Sequence, residues 1–160
     1  MSTHPQYISY IDRTREYYAA LGYPKPYVWS HYEDVPFTPL AKPLSESRVG
    51  LVTTASPLRR AEDKQPKTVW SGETATPPDA LYTDDLAWDR DNTHTQDVES
   101  FLPIRHLQRF VAEGRVGSLA PRFHRVPTDY SQRRTIERDA PQVLERCGED
   151  GVDVALLVPL

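Results

Sequence analysis

The run Val152-Asp153-Val154-Ala155-Leu156-Leu157-Val158 constrains the fold of this chain more than any other segment. It is apolar almost throughout, is bounded by Gly151 and Pro159, and has the length of a strand. Continuous apolarity, as opposed to alternation, predicts a strand buried on both faces, as in a parallel sheet. Parallel neighbours need crossover connections, and helices usually supply them. Two helices are predicted upstream. Ile104, Leu107 and Val111 share a face between Pro103 and Gly114, residues that suit a helix start and stop. Ala140, Val143, Leu144 and Cys147 share another, with Asp139 as N-cap and Pro141 in the first turn. The β-branched run Arg48 to Thr54 predicts the first strand, broken by Ser56-Pro57. The polar stretch from there to about Pro78 reads as an exposed loop, Val116 to Ala120 as a short strand or turn, and His124 to Asp129 as irregular. The expected fold class is α/β: a doubly wound, mostly parallel sheet, incomplete at the C-terminus because no helix follows the last strand.

The other end of the chain is different in character. Tyr7, Ile8, Ile11, Tyr18 and Leu21 have helical spacing, and Gly22 is a stop, so Gln6 to Leu21 is predicted as an amphipathic helix. From Tyr23 to Pro43 the chain carries Tyr27, Trp29, Tyr32 and Phe37 among prolines. This predicts an extended arm laid on a surface of its own domain or of a partner. With 160 residues the chain suits one domain. Residues 1–46 form the helix and arm in this reading, and residues 47–160 the α/β domain. No internal repeat or low-complexity tract is present.

Several function classes lose support at once. The net charge is −4, and Arg133, Arg134 and Arg138 are offset by Glu137 and Asp139, which leaves no basic stripe for phosphates. The single cysteine, Cys147, excludes a disulfide framework and a cysteine zinc site. It falls on the apolar helix face, where a thiol behaves as a small hydrophobe. Met1 to Tyr10 lacks the regions of a signal peptide, and no apolar stretch approaches the ~20 residues of a membrane span. A cytoplasmic location is expected. P-loop, Gly-x-Gly-x-x-Gly and Gly-x-Ser-x-Gly motifs are absent.

Two segments carry candidate chemistry. Thr53, Thr54 and Ser56 place three hydroxyls at the carboxyl end of a predicted strand, where they can hold a carboxylate, polarise a carbonyl, or simply form a turn. Asp91, His94 and Asp97 recur at every third position. That pattern suits a divalent metal, a polar turn, or a substrate site with His94 as acid, base or donor. His106 is predicted to face solvent from its helix. His124, between Arg122 and Arg125, suits an anion contact or a surface loop.

Taken in order, four stretches resemble the selenoprotein B-type family of glycine, sarcosine, betaine and D-proline reductases. Val49 to Ala55 is similar to that family's first strand, and Gln96 to Glu99 through Leu102-Pro103-Ile104-Arg105-His106-Leu107 to its acidic segment and following helix start. Glu113-Gly114-Arg115-Val116-Gly117-Ser118-Leu119-Ala120 resembles its glutamate-glycine-x-isoleucine-glycine-serine-leucine-alanine stretch, and Asp150 to Pro159 its last strand before the redox centre. The Pro36-Phe37-Thr38-Pro39-Leu40 arm looks like that of an uncharacterised proteobacterial branch. The resemblance implies an oxidoreductase that cleaves a C–N bond in a small amino-acid-like substrate. It implies a selenocysteine or cysteine nucleophile just after the final strand, a pyruvoyl group on a partner, and electrons from a thioredoxin-like thiol system. No such nucleophile stands in this chain, which stops at Leu160. A reading frame closed at a UGA selenocysteine codon, a fragment, or a degenerate subunit would each produce this. The expectations are therefore a reductase portion with Thr53, Thr54, Ser56, His94 and Asp97 on the substrate side, without catalytic residue, metal or cofactor of its own. The alternative is a non-catalytic subunit that docks on a protein partner or forms a homo-oligomer. Contact with nucleic acid or membrane is not expected.

Overall fold

In the computed structural model, residues 9–23, 25, 28, 30–36, 38–57, 67–82, 91, 94–128 and 131–160 are described. The chain forms two compact units, residues 1–37 and 38–160. In the first, α1 (Tyr10–Ala20) is capped by the Ser9 hydroxyl, which accepts from the Asp12 N–H. None of its residues is buried, and Tyr17, Tyr18 and Tyr23 stack edge to face on its surface. The predicted helix is thus present but shorter, and it lacks the buried face expected of an amphipathic element. Of the arm's aromatics Tyr32 is exposed, and Tyr27, Trp29 and Phe37, like Tyr7 and Ile8, lie outside the described residues.

The second unit is built on four strands: β1 (Arg48–Thr53), β2 (Trp70–Glu73), β3 (Ser118–Arg125) and β4 (Val154–Val158). Their order is β2-β3-β1-β4, with β3, β1 and β4 parallel and β2 antiparallel to β3. The expected α/β, mostly parallel open sheet is what forms. β1 lies at its centre and is buried from Val49 onward. Opposite Gly50, between the pairs Val49–Leu119 and Leu51–Phe123, β3 carries extra residues around Pro121, whose missing N–H suits such an irregularity.

Side chains alternate across the sheet. One face presents Val49, Leu51 and Phe123 to α2 (Ile104–Ala112), which buries Ile104 and Leu107 against them together with Val98, Phe101 and Leu102. The N-terminus of α2 is capped from outside. Glu99 accepts from the N–H groups of Arg105 and His106 at 3.2 and 3.1 Å, which meets two orphan donors and suits the positive end of the helix dipole. Gly114, at φ +71°, ends the helix. The other face is covered by a helical stretch in three parts: α3 (Gln132–Arg134), a π-helical turn (Thr135–Asp139) and α4 (Ala140–Glu149). Asp139 is helical and fully buried inside this stretch, so it is not the predicted N-cap. Ser131 fills that role, accepting from the Arg134 N–H.

Three strand predictions are corrected. β2 lies within the stretch read as a loop. β3 runs through His124 and Arg125, read as irregular. β4 is not buried on both faces: it is the outer strand, and Ala155, Leu156 and Leu157 are exposed, Leu157 by 68%. Among the described residues nothing covers its outer side.

The start of β4 is pinned to β1 by polar contacts. Asp153 accepts the Arg48 N–H at 2.7 Å and pairs with Lys42 at 2.8 Å, while its own N–H donates to Arg48 O. These donors hold the Asp153 carboxyl below the ordinary carboxylate range. Among the described residues no helix is long and apolar enough to cross a membrane.

Candidate functional site at the carboxyl ends of β1 and β4

The connection from β1 to β3 passes through α2 on one face, and that from β3 to β4 passes through α4 on the other. β1 and β3 are therefore neighbours whose crossovers leave their carboxyl ends to opposite faces, which opens a crevice beyond those ends, and the carboxyl end of the parallel β4 lies along the same edge of the sheet. Thr53 and Thr54 stand there as predicted. The Thr53 side chain is buried, and its hydroxyl accepts the Ala55 N–H at 3.4 Å. The Thr54 hydroxyl donates to Leu160 O at 3.1 Å and accepts the Leu160 N–H at 2.9 Å, so it clamps the backbone that follows β4. Ser56 is buried and forms a two-way bridge with Tyr82, donating its N–H at 2.8 Å and accepting at 2.7 Å.

Thr53 and Thr54 also line a groove of about 610 Å³ between α4 and the outer half of the sheet. Val52, Val126, Val143, Leu144, Ala155 and Leu157 make it apolar. Ser56, His94 and Asp97 are not part of it. His94 and Asp97 are exposed, upstream of the 3-10 turn Val98–Ser100. The His94 Nδ1 accepts the Gln96 N–H at 3.4 Å, and Asp97 O accepts from the Ser100 N–H and hydroxyl. They form local turns, and among the described residues no cluster of His, Cys, Asp or Glu has the form of a metal site. Cys147 lines the groove, but burial and then Asp150 push its thiol pKa up, opposite to what a nucleophile needs.

A second polar cluster lies between β3 and α4. Arg122 reaches from β3 to the end of α4, where its Nε donates to both oxygens of Asp150 at 2.9 and 3.1 Å and its Nη2 to Asp150 and Glu149 at 2.8 and 2.7 Å. These carboxylates raise the Arg122 pKa further above its ordinary value. His124, 1% exposed, meets Ser71 of β2 at 2.9 Å through Nδ1. Arg146 of α4 donates to the same Ser71 oxygen at 2.8 Å and to Val69 O at 3.2 Å. The Ser71 hydroxyl can accept from Arg146 and still either donate to His124 Nδ1 or accept from it, according to the tautomer, while His124 Nε2 is buried without a hydrogen-bond partner among the described residues. Burial, then the Arg122 charge, lowers the His124 pKa and keeps the ring neutral. Among the described residues no carboxylate bonds His124 Nε2, so the pair is not completed into a charge-stabilised triad. Its chemistry is that of a polar weld joining β2, β3 and α4.

This cluster was not foreseen, because Ser71 and His124 lie 53 residues apart and meet only once β2 pairs with β3. The alternation of Arg122, Phe123 and His124 was the one available signal: two polar side chains on one face, one aromatic on the other. Comparison with family models, curated proteins and solved structures found no match.

Proposed function

We propose that this chain is the substrate-side α/β portion of a reductase of the glycine, sarcosine, betaine and D-proline reductase type, acting on a small amino-acid-like substrate. The observation that supports it best is the clamp at the carboxyl edge of the sheet, where Thr54, just beyond β1, holds the Leu160 backbone in place. A nucleophile carried just beyond Leu160 would stand along that edge, the side on which open α/β sheets bind their ligands. A selenolate or thiolate there supplies displacement of the amine at the α-carbon, with two electrons then drawn from a dithiol that leaves as a disulfide and a proton taking the amine's place on carbon. Thr53 and Thr54 position the backbone around it, and the apolar groove limits water on one side. Ser56, His94 and Asp97 belong to the proposal as more distant substrate contacts, and a pyruvoyl-bearing partner and a cytoplasmic location go with it. The alternative, a non-catalytic docking subunit, draws on the exposed leucines of β4.

The test is the coding frame past Leu160, expressed with cysteine or selenocysteine at the next position. Dithiol-dependent release of ammonia or an amine from glycine, sarcosine or betaine, or ring opening of D-proline to its δ-amino acid, is expected with the partner fraction present. A stop codon other than UGA at that position, or no such product from any of the four, would sink the reductase reading and leave the subunit reading in front.

A further inference from the structure

We propose that two copies of this chain join through β4, antiparallel about a twofold axis at Leu156, to make one continuous sheet with four strands from each copy. This rests on the edge strand alone and stands or falls independently of the reductase reading.

Soluble proteins protect an outer strand with Lys, Pro, bulges or a covering element. β4 reads Val-Ala-Leu-Leu-Val, pairs with β1 in unbroken register, and has no covering element among the described residues. Its exposed apolar groups lie on both faces: Leu156 is 41% exposed on the α2 side, and Leu157 is 68% exposed on the α4 side. A helix could cover one face but could not meet the edge's backbone groups. A second strand covers both faces and pairs the backbone at once.

The register of β4 makes its own copy a matching strand. Arg48 turns both its N–H and its C=O toward β4, where they meet Asp153, whereas Ser47 O and Thr53 O accept from Ser118 and Val126 on the β3 side. The even-numbered residues of β1 therefore bond β4, and with Val49 opposite Val154 the N–H and C=O of Val154, Leu156 and Val158 turn inward to β1 while those of Ala155 and Leu157 turn outward. A twofold axis at Leu156 then sets Ala155 against Leu157 of the other copy as hydrogen-bonded pairs, about four bonds in all, with Leu156 against Leu156 in the closer non-bonded pair. Ala155 against Leu157 places a small side chain opposite a large one. Both pairs lie on the groove side, next to Leu144, which is 75% exposed.

Charge raises no barrier. β4 itself carries none, and the carboxylate at its head, Asp153, is already paired with Lys42. A five-residue strand spans about 17 Å, and a specific interface needs roughly 800 Å² per partner. The strand pairing alone is short of that area, and closing the groove between Leu144 and the second copy's Leu157 supplies the rest.

The full chain should sediment at twice its mass across the micromolar range. Ala155→Pro removes a donor that points away from the sheet, a change an edge strand tolerates, and Leu157→Lys adds a charge to the joined face. Each should yield a folded monomer, with dimer affinity reduced at least tenfold. Leu156→Cys should form an interchain disulfide under mild oxidant, since such non-bonded pairs hold Cα atoms about 4.5 Å apart, whereas Leu157→Cys, opposite Ala155, should not. A monomeric wild-type chain, or a dimer unaffected by Leu157→Lys, would overturn the proposal. Cross-linking at residue 157 and not at 156 would overturn its register.

Discussion

Asp150→Asn should cost this fold about 2 kcal/mol. Asp150 is 8% exposed at the end of α4 and accepts three charge-assisted bonds from Arg122, which rises from β3 and is one-third exposed. Each such bond is worth about 1.5–3 kcal/mol when buried, and they share one guanidinium. Glu149 keeps a 2.7 Å contact with the same guanidinium, so the arginine is not stranded, and its exposure screens part of the loss. Together these place the cost near 2 kcal/mol, against about 0.3 kcal/mol for Glu113→Gln, which breaks the exposed 3.8 Å pair with Arg109. Urea unfolding of the two variants beside wild type measures both, and Tm should fall by roughly 5–10 °C for Asp150→Asn alone. Equal, small effects would refute the claim that this ion pair fastens α4 to the sheet.

Gly117→Ala places a Cβ 2.6 Å from the Glu46 carbonyl carbon and 2.8 Å from Ser47 backbone atoms, which cannot swing aside. A loss of about 2–3 kcal/mol in urea unfolding is expected. Thr54→Val keeps the shape but removes both bonds to Leu160, and should cost about 1 kcal/mol in urea unfolding. Because the His124 pKa is lowered in the fold, below pH about 6.5 the unfolded chain binds the extra proton first. Stability should therefore fall as pH drops from there to the folded-state pKa and level off below it, and His124→Gln should abolish that slope in pH-dependent unfolding. Cys147, buried with a raised pKa, should react with an aromatic disulfide reagent only as fast as the protein unfolds, and rapid native-state labelling would contradict its placement.

What could be read in advance followed hydrophobic pattern. β1, α2 and α4 announce themselves through apolar spacing and stop signals, and those signals survive tertiary context. β2 does not, because Trp70-Ser71-Gly72-Glu73 shows no alternation. It forms by pairing with β3, and Gly72 is needed because a Cβ there would strike the Phe123 and Trp70 rings at 2.6 Å. β3 was cut short because Pro121, Arg122 and His124 look like loop residues. The Arg122 charge is met at the end of α4 and the His124 ring by Ser71 of β2, partners that local sequence cannot reveal. The exposure of β4 has a different cause: an apolar run records that a strand is to be buried, not which polypeptide buries it. The same divide holds at the site. The Thr53–Thr54 end was legible from its strand, whereas the separation of His94 and Asp97 from the groove depends on a long excursion whose path spacing alone does not set.

The central position of β1 also sets the order in which this molecule can be made. Arg48 meets Ser118 on one side and Asp153 on the other, 70 and 105 residues further along. At ordinary synthesis rates the second partner follows β1 by roughly 5 to 20 s. Until β3 emerges, Val49, Leu51 and Val52 belong to a nascent chain with no sheet to enter, and until β4 emerges one edge of β1 stays open. Native pairing with β4 cannot begin until residues near position 154 are available, so closure of the sheet comes late and carries a large loop-closure entropy. A ribosome-bound chain halted before β4 should accordingly be bound by chaperones and cleaved by protease at β1, and both should cease once β4 has emerged.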